Sequence, residues 1–200
     1  STIPTFDSNF VVDFAFPRKF ATTDNWGTYT RLTGDYFLRL NTNDSQGTYS
    51  GGKWDSNVGW AAASFWDSNR QSWMWKRHAG FDVVTYKGDG VAGRELPHSL
   101  NKTVEMMWVK KRNGTGDWSV YHKGLNGGTN PETRTMYLND PDAEYTQVTF
   151  NNTAPTSTHF TVGSAAYING NGDNFLALLF ASVDGISKLG YYTGNGNTGQ

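Results

Sequence analysis

The residues able to do acid–base or metal chemistry are scattered along this chain rather than grouped. Its four histidines, His78, His98, His122 and His159, show no spacing that would gather ligands around a metal ion. Cysteine is absent, which excludes thiolate nucleophiles, thiolate zinc sites and disulfide frameworks. A Gly-x-Ser-x-Gly elbow and a complete Gly-x-x-x-x-Gly-Lys-Ser/Thr phosphate loop are both missing, since Trp54 follows Gly52-Lys53. A glycosidase needs two carboxylates facing each other about 5–10 Å apart. Here Asp89, Asp117, Asp140, Asp142 and Asp173 fall among turn residues, where a short carboxylate serves the backbone. Asn169, Asn171 and Asp173 alternate like the start of an oxygen-ligand calcium loop, but no bidentate acid follows where one is required. The Asn-x-Ser/Thr triplets at Asn43, Asn101, Asn113 and Asn151 are expected by chance in a chain so rich in Asn and Thr. The expectation is a protein with no catalytic residues, no metal and no cofactor.

What remains is the chemistry of aromatic faces. Eight Trp, ten Tyr and twelve Phe make up 15% of the chain. Trp54, Trp60 and Trp66 lie close together near turn residues and are the candidate binding residues. An aromatic face stacks on the apolar side of a sugar ring, so they fit a glycan platform. They equally fit a subunit interface or a core, where tryptophan concentrates.

Charge is balanced, with 17 Lys and Arg against 18 Asp and Glu, which argues against a nucleic-acid partner. No run approaches the roughly 18 apolar residues that a membrane helix needs, so membrane insertion is not expected. The first four residues carry neither a basic nor an apolar region of a signal peptide.

The elements that must position these side chains are strands. Short apolar or alternating runs at 11–16, 36–40, 72–76, 81–86, 104–110, 118–122, 135–138, 159–162 and 175–181 are separated by Gly, Asn and Asp clusters. Residues 174–183 would also suit a helix by composition, but an internal repeat favours a strand. Residues 12–19 line up with residues 104–111, each pair 92 apart, and the same offset places Trp26 on Trp118 and Tyr29 on Tyr121. Further on, residues 37–41 match 135–139, residues 73–76 match 178–181, and residues 86–90 match 192–196. Phe16-Pro17 interrupts the first copy of one strand. Proline donates no ladder hydrogen bond, so an edge or a bulge is expected there. The spacing predicts a first unit over 1–80 without an opening strand, a second over 81–189, and a spare opening-type strand over 190–200. An unpaired strand invites addition to a sheet edge. Leu189, Tyr191 and Thr193, on one face of that strand, are the candidate assembly residues. Pairing within the chain or with a neighbouring subunit are the two alternatives.

Residues 80–90, 107–112, 118–122, 137–139, 151–156 and 183–196 resemble a repeated β domain of virion and tail proteins of tailed phages, especially marine and cyanobacterial ones. The resemblance implies a particle component, with no catalytic residues to carry over. The fold class expected is all-β, a β-sandwich or jelly-roll-like pair of sheets in two degenerate copies of one unit, with little or no helix. The function expected is a structural virion protein (capsid-decorating, fibre or tail-associated) residing in the extracellular particle. Its expected partners are copies of itself and other virion proteins. The alternatives are a carbohydrate- or receptor-binding module that touches a host-surface glycan, and a glycoside hydrolase on a lectin-like sandwich.

Overall fold

A computed structural model describes residues 4–52, 54–62 and 69–196. It is all-β. The first unit contains β1 (Pro4–Asp7), β2 (Phe14–Lys19), β3 (Gly27–Thr30), β4 (Tyr36–Arg39), β5 (Gly47–Thr48), β6 (Gly59–Ala62) and β7 (Arg70–Trp75). Then come β8 (Phe81–Lys87), β9 (Arg94–Pro97), β10 (Met106–Lys111), β11 (Ser119–His122), β12 (Arg134–Tyr137), β13 (Tyr145–Thr146), β14 (His159–Val162), one short helix α1 (Ala166–Asn169) and β15 (Asn174–Phe180).

Two antiparallel sheets carry the fold, ordered β5-β4-β3-β2-β7 and β13-β12-β11-β10-β15-β8, and two ribbons, β1-β6 and β9-β14, accompany them. In each main sheet a late strand returns to lie beside the first of a run of hairpin-linked strands. This is the Greek-key order. The register repeats as well. Phe14 faces Trp75 in one sheet and Met106 faces Phe180 in the other, while Ala15 faces Tyr29 and Met107 faces Tyr121. Even the bonds at strand ends recur. The Arg31 amide donates to the Asp13 carbonyl as the Lys123 amide does to Glu105, and Tyr49 donates to Asp35 as Gln147 does to Thr133.

Alternation along the strands sorts side chains into three cores. On β15, Leu176, Leu178 and Phe180 join Phe14, Leu38, Leu40, Phe81, Val83 and Trp118 between the two sheets. Phe175, Ala177 and Leu179 turn the other way, with Met107, Val109, Tyr121, Phe160 and Ile168, beneath the β9-β14 ribbon. In the first unit Ala15, Tyr29 and Trp60 form the corresponding layer under the β1-β6 ribbon. The molecule is a sandwich of two sheets, each backed by a ribbon.

Several expectations change in detail. The ribbon strand β14 lies where a strand is expected over 159–162, whereas β1, β6 and β9, and β3, β5 and β13, are too short to leave a pattern. The strand expected over 11–16 begins at Phe14 and runs through Pro17, which sits opposite Ser72. β2 pairs with β3 only through Phe14 and Ala15, so Pro17 lies where its β3 side is already open. Residues 174–180 are a strand, the most buried one in the molecule. β8 forms the edge of the second sheet beside β15.

Candidate functional site

Two features stand out from the scaffold: an aromatic cleft between the sheets, and an open sheet edge. The cleft is about 550 Å³ and is bordered by Phe16, Trp26 and Leu40 of the first unit and Trp108, Leu138, Asp140 and Pro141 of the second. Its walls are repeat partners: Phe16 matches Trp108, Leu40 matches Leu138, and Asn41 matches Asn139. Each asparagine holds its own unit's tryptophan. Asn41 Oδ1 accepts the Trp26 amide at 2.8 Å, and Asn139 Oδ1 accepts the Trp118 amide at 2.8 Å. Both side-chain amides are also used, Asn41 donating to Asn25 at 2.9 Å and Asn139 to Asp117 at 2.8 Å.

The two tryptophans have different fates. Trp118 is fully buried, and its indole N–H donates to the Arg39 carbonyl across the sandwich at 2.7 Å. Trp26 is half-buried at the mouth and continues a stack of rings. Trp75 and Trp73 lie on the two faces of Phe16, with centroids 5.2 and 5.0 Å away, Trp26 follows Trp73 at 5.7 Å, and the Arg18 guanidinium lies 4.6 Å from the Trp26 centroid. Such a stack offers flat apolar faces with a cation at one end. Among the described residues the cleft lining carries one carboxylate, Asp140, and its Oδ1 accepts the Asp142 amide at 3.0 Å within the turn. A hydrolytic pair needs two.

Trp54 and Trp60 do not form an exposed platform. Trp60 has no solvent-exposed surface, is stacked between Phe6 and Trp54, and donates its indole N–H to Ser72 at 3.0 Å. It faces Phe6 across the first ribbon as Phe160 faces Leu96 across the second, so it has an aromatic counterpart after all. Trp54 is half-buried, with the Arg31 guanidinium 5.6 Å from its ring. Trp66 lies outside the described residues. Aromatic surface beside the cleft is offered instead by half-buried Trp26 and by Trp73, which is exposed. They were hidden in the sequence because Trp26 matches a buried counterpart.

The second feature is the outer edge of β7. Among the described residues β7 pairs only with β2. The Asn69 and Trp75 carbonyls both accept from that side, so alternation turns the backbone of Ser72 and Met74 outward. Leu189, Tyr191 and Thr193 form no strand and do not lie on this edge, so the pairing within the chain is not formed. Leu189 packs against the inter-sheet core, and its amide donates to Ser182 Oγ at 3.0 Å. Ser182 donates to Glu105, which also receives Lys123 Nζ at 2.9 Å. Burial pushes the Glu105 carboxyl up, but these two donors hold it below the usual carboxylate range. Tyr191 stands edge-on to His122 at 6.3 Å, and Thr193 is exposed.

The remaining polar clusters are structural. Asn169 is buried and clasps the turn after β8, donating to Asp89 at 2.9 Å and to the Val91 carbonyl at 3.0 Å. Asp173 pairs with Lys111 at 2.7 Å. Among the described residues no three His, Asp or Glu are placed to hold a metal ion, and no helix is long and apolar enough to cross a membrane.

The fold and its two features define a doubled Greek-key sandwich with an aromatic cleft and one open edge. By sequence the chain belongs to the DUF7483 family, a domain of unknown function whose model matches residues 19–200. No curated protein and no solved structure matches it.

Proposed function

We propose that this chain is a non-enzymatic, self-assembling structural subunit of a tailed-phage particle. The observation that carries the reading is an unused backbone edge on a sheet whose twin, in the same molecule, has that edge filled by an extra strand. An edge open at Ser72 and Met74 among the described residues is a liability in a lone monomer and an asset in a lattice or fibre. The sequence resemblance to virion and tail proteins supplies the setting. Copies of itself and other particle proteins are the partners that follow. Analytical ultracentrifugation and negative-stain microscopy of the purified chain test the reading. A regular oligomer is expected, whereas a monomer at every concentration would overturn it. Labelling of intact phage particles by an antibody to the chain tests the setting.

A second reading rests on a different observation, the Trp26–Trp73 stack at the mouth of the cleft. It makes the chain a carbohydrate-binding module that contacts a host-surface glycan. Soluble oligosaccharides should then quench tryptophan fluorescence, and Trp26→Ala should weaken that response at least tenfold.

A further inference from the structure

We infer that the open edge of β7, from Trp75 to Gln71, takes up residues 187–191 of a second copy of this chain as an added antiparallel strand. This rests on reading the chain as an assembling subunit, and it names the contact.

β7 and β15 are repeat partners, and the chain leaves both in the same way. After β7 the Arg77 amide is caught by the carboxylate of Asp13, at 2.9 Å. After β15 it is the hydroxyl of the matching residue, Ser182, that donates to the carboxylate of Glu105, the match of Asp13, at 2.6 Å. A tight turn follows in each. The His78 amide donates to the Phe81 carbonyl, and the Val183 amide to the Ser187 carbonyl. Gly80 and Gly185 take positive φ angles of 79° and 75° within those turns. The first turn launches β8. The second therefore launches residues 187–193 in the position of a strand.

The fates of the two segments then part. β8 crosses to the other unit and covers the edge of β15 along seven residue pairs, Phe81 facing Phe180 through Lys87 facing Asn174. Residues 187–193 cover nothing comparable, and β7, the equivalent of β15, has no strand on that side among the described residues. Burial shows the same imbalance. Tyr86 of β8 is 8% exposed, stacked on Phe175 at 5.0 Å with its hydroxyl bonded to the Ile168 carbonyl. Its match, Tyr192, is 91% exposed, and the neighbouring Tyr191 is 59% exposed.

Carrying the β8·β15 register over places Leu189 opposite Trp73, Gly190 opposite Ser72 and Tyr191 opposite Gln71. Gly190 then meets the outward-facing backbone of Ser72. Leu189 covers Trp73, which is 37% exposed. The donor is another molecule because in its own chain the segment is fastened to the second unit and forms no pairing with β7. Leu189 is held at Ser182, and Tyr191 lies over Gly124 beside His122.

The absence of cysteine makes the test clean. Gln71→Cys and Tyr191→Cys are prepared as separate, exposed single variants, mixed, and oxidised. An interchain disulfide joining one molecule of each variant is the expected product, and it should be absent from either variant alone. Deleting residues 190–200 should abolish both the cross-link and the assembly. A regular oligomer that forms without this cross-link would overturn the strand donation and leave the subunit reading standing. A Gln71→Cys/Tyr191→Cys chain that closes on itself as a monomer would overturn both, as would a monomer with no cross-link.

Discussion

Two buried charges show how differently a residue can be kept inside this sandwich. Asp82 opens β8 with no exposed surface and is fully employed. It receives the Arg77 guanidinium at 2.6 Å, the Ser99 amide at 2.7 Å and hydroxyl at 2.9 Å, and the Val83 amide at 2.9 Å. Burial pushes its carboxyl up, but these donors together hold it below the usual carboxylate range. A depressed carboxyl contributes stability at neutral pH that is lost as pH falls through the folded value. Asp82→Ala should cost about 3 kcal/mol at neutral pH, since it strands the partners of a buried pair. The loss should shrink in acid, and urea melts at several pH values would show it. Lys110 is the opposite case. Its ammonium is buried and donates to the Lys111 carbonyl at 2.7 Å. Desolvation pushes it from 10.5 down to about 8, against the pull of Asp117 and Asp44. Between those values the unfolded chain binds more protons than the folded one, so stability rises with pH across that window. Tyr29 and Tyr121, pushed by burial up to about 12, reverse the slope above about 10. Lys110→Met should raise Tm at pH 7 and flatten the rise between pH 8 and 10, as thermal melts across that range would reveal.

At the scale of elements, the same cap is used twice with unequal stakes. Asn41 and Asn139 each fix the start of a strand through a tryptophan amide. A buried donor left unpaired costs about 1–3 kcal/mol, whereas an exposed one finds water. Asn139→Ala should therefore destabilise by about 2 kcal/mol and Asn41→Ala by less than about 1 kcal/mol, measured by chemical denaturation. The asymmetry explains what the sequence could and could not reveal. Repeat spacing placed Trp26 and Trp118 in equivalent positions, and the observed registers agree. It could not reveal that the two sheets close over Trp118 and stay apart at Trp26, because that depends on how the units meet. The long buried strand β15 was legible because its repeat partner is short and aromatic. The ribbon strands β1 and β9 were not, since Pro4–Asp7 and Arg94–Pro97 lack both length and alternation. Without them Trp60 looked like a loop residue near turns, although it is the floor of a core. The cleft was illegible for a related reason: its aromatic walls come from two units far apart in sequence.

The whole molecule behaves as one body because its central core belongs to neither unit alone. Phe14, Leu38 and Leu40 come from the first, and Phe81, Val83, Trp118, Leu176, Leu178 and Phe180 from the second. Polar contacts reinforce the joint. The Gln46 amide donates to the Arg112 carbonyl at 2.7 Å, Arg112 Nε returns to Gln46 at 2.8 Å, and the Trp118 indole donates to the Arg39 carbonyl. Pulling the units apart would expose both inner sheet faces, including rings that touch across the joint such as Phe14 and Phe81, with centroids 5.3 Å apart. Neither unit then keeps an intermediate stable enough to populate, so calorimetry should record a single cooperative transition, with the van't Hoff enthalpy equal to the calorimetric one. Trp118→Ala attacks the joint directly. It opens a cavity in the shared core and removes the bond to Arg39, for a loss of about 3–5 kcal/mol. Because the core is shared, that loss should move the single transition to lower temperature without splitting it. Trp26→Ala, at the open mouth, should shift it much less. Two separated transitions in the native chain, or a Trp118→Ala variant that melts only one unit, would show that the halves fold independently. The sandwich would then be a contact between neighbours and not one core.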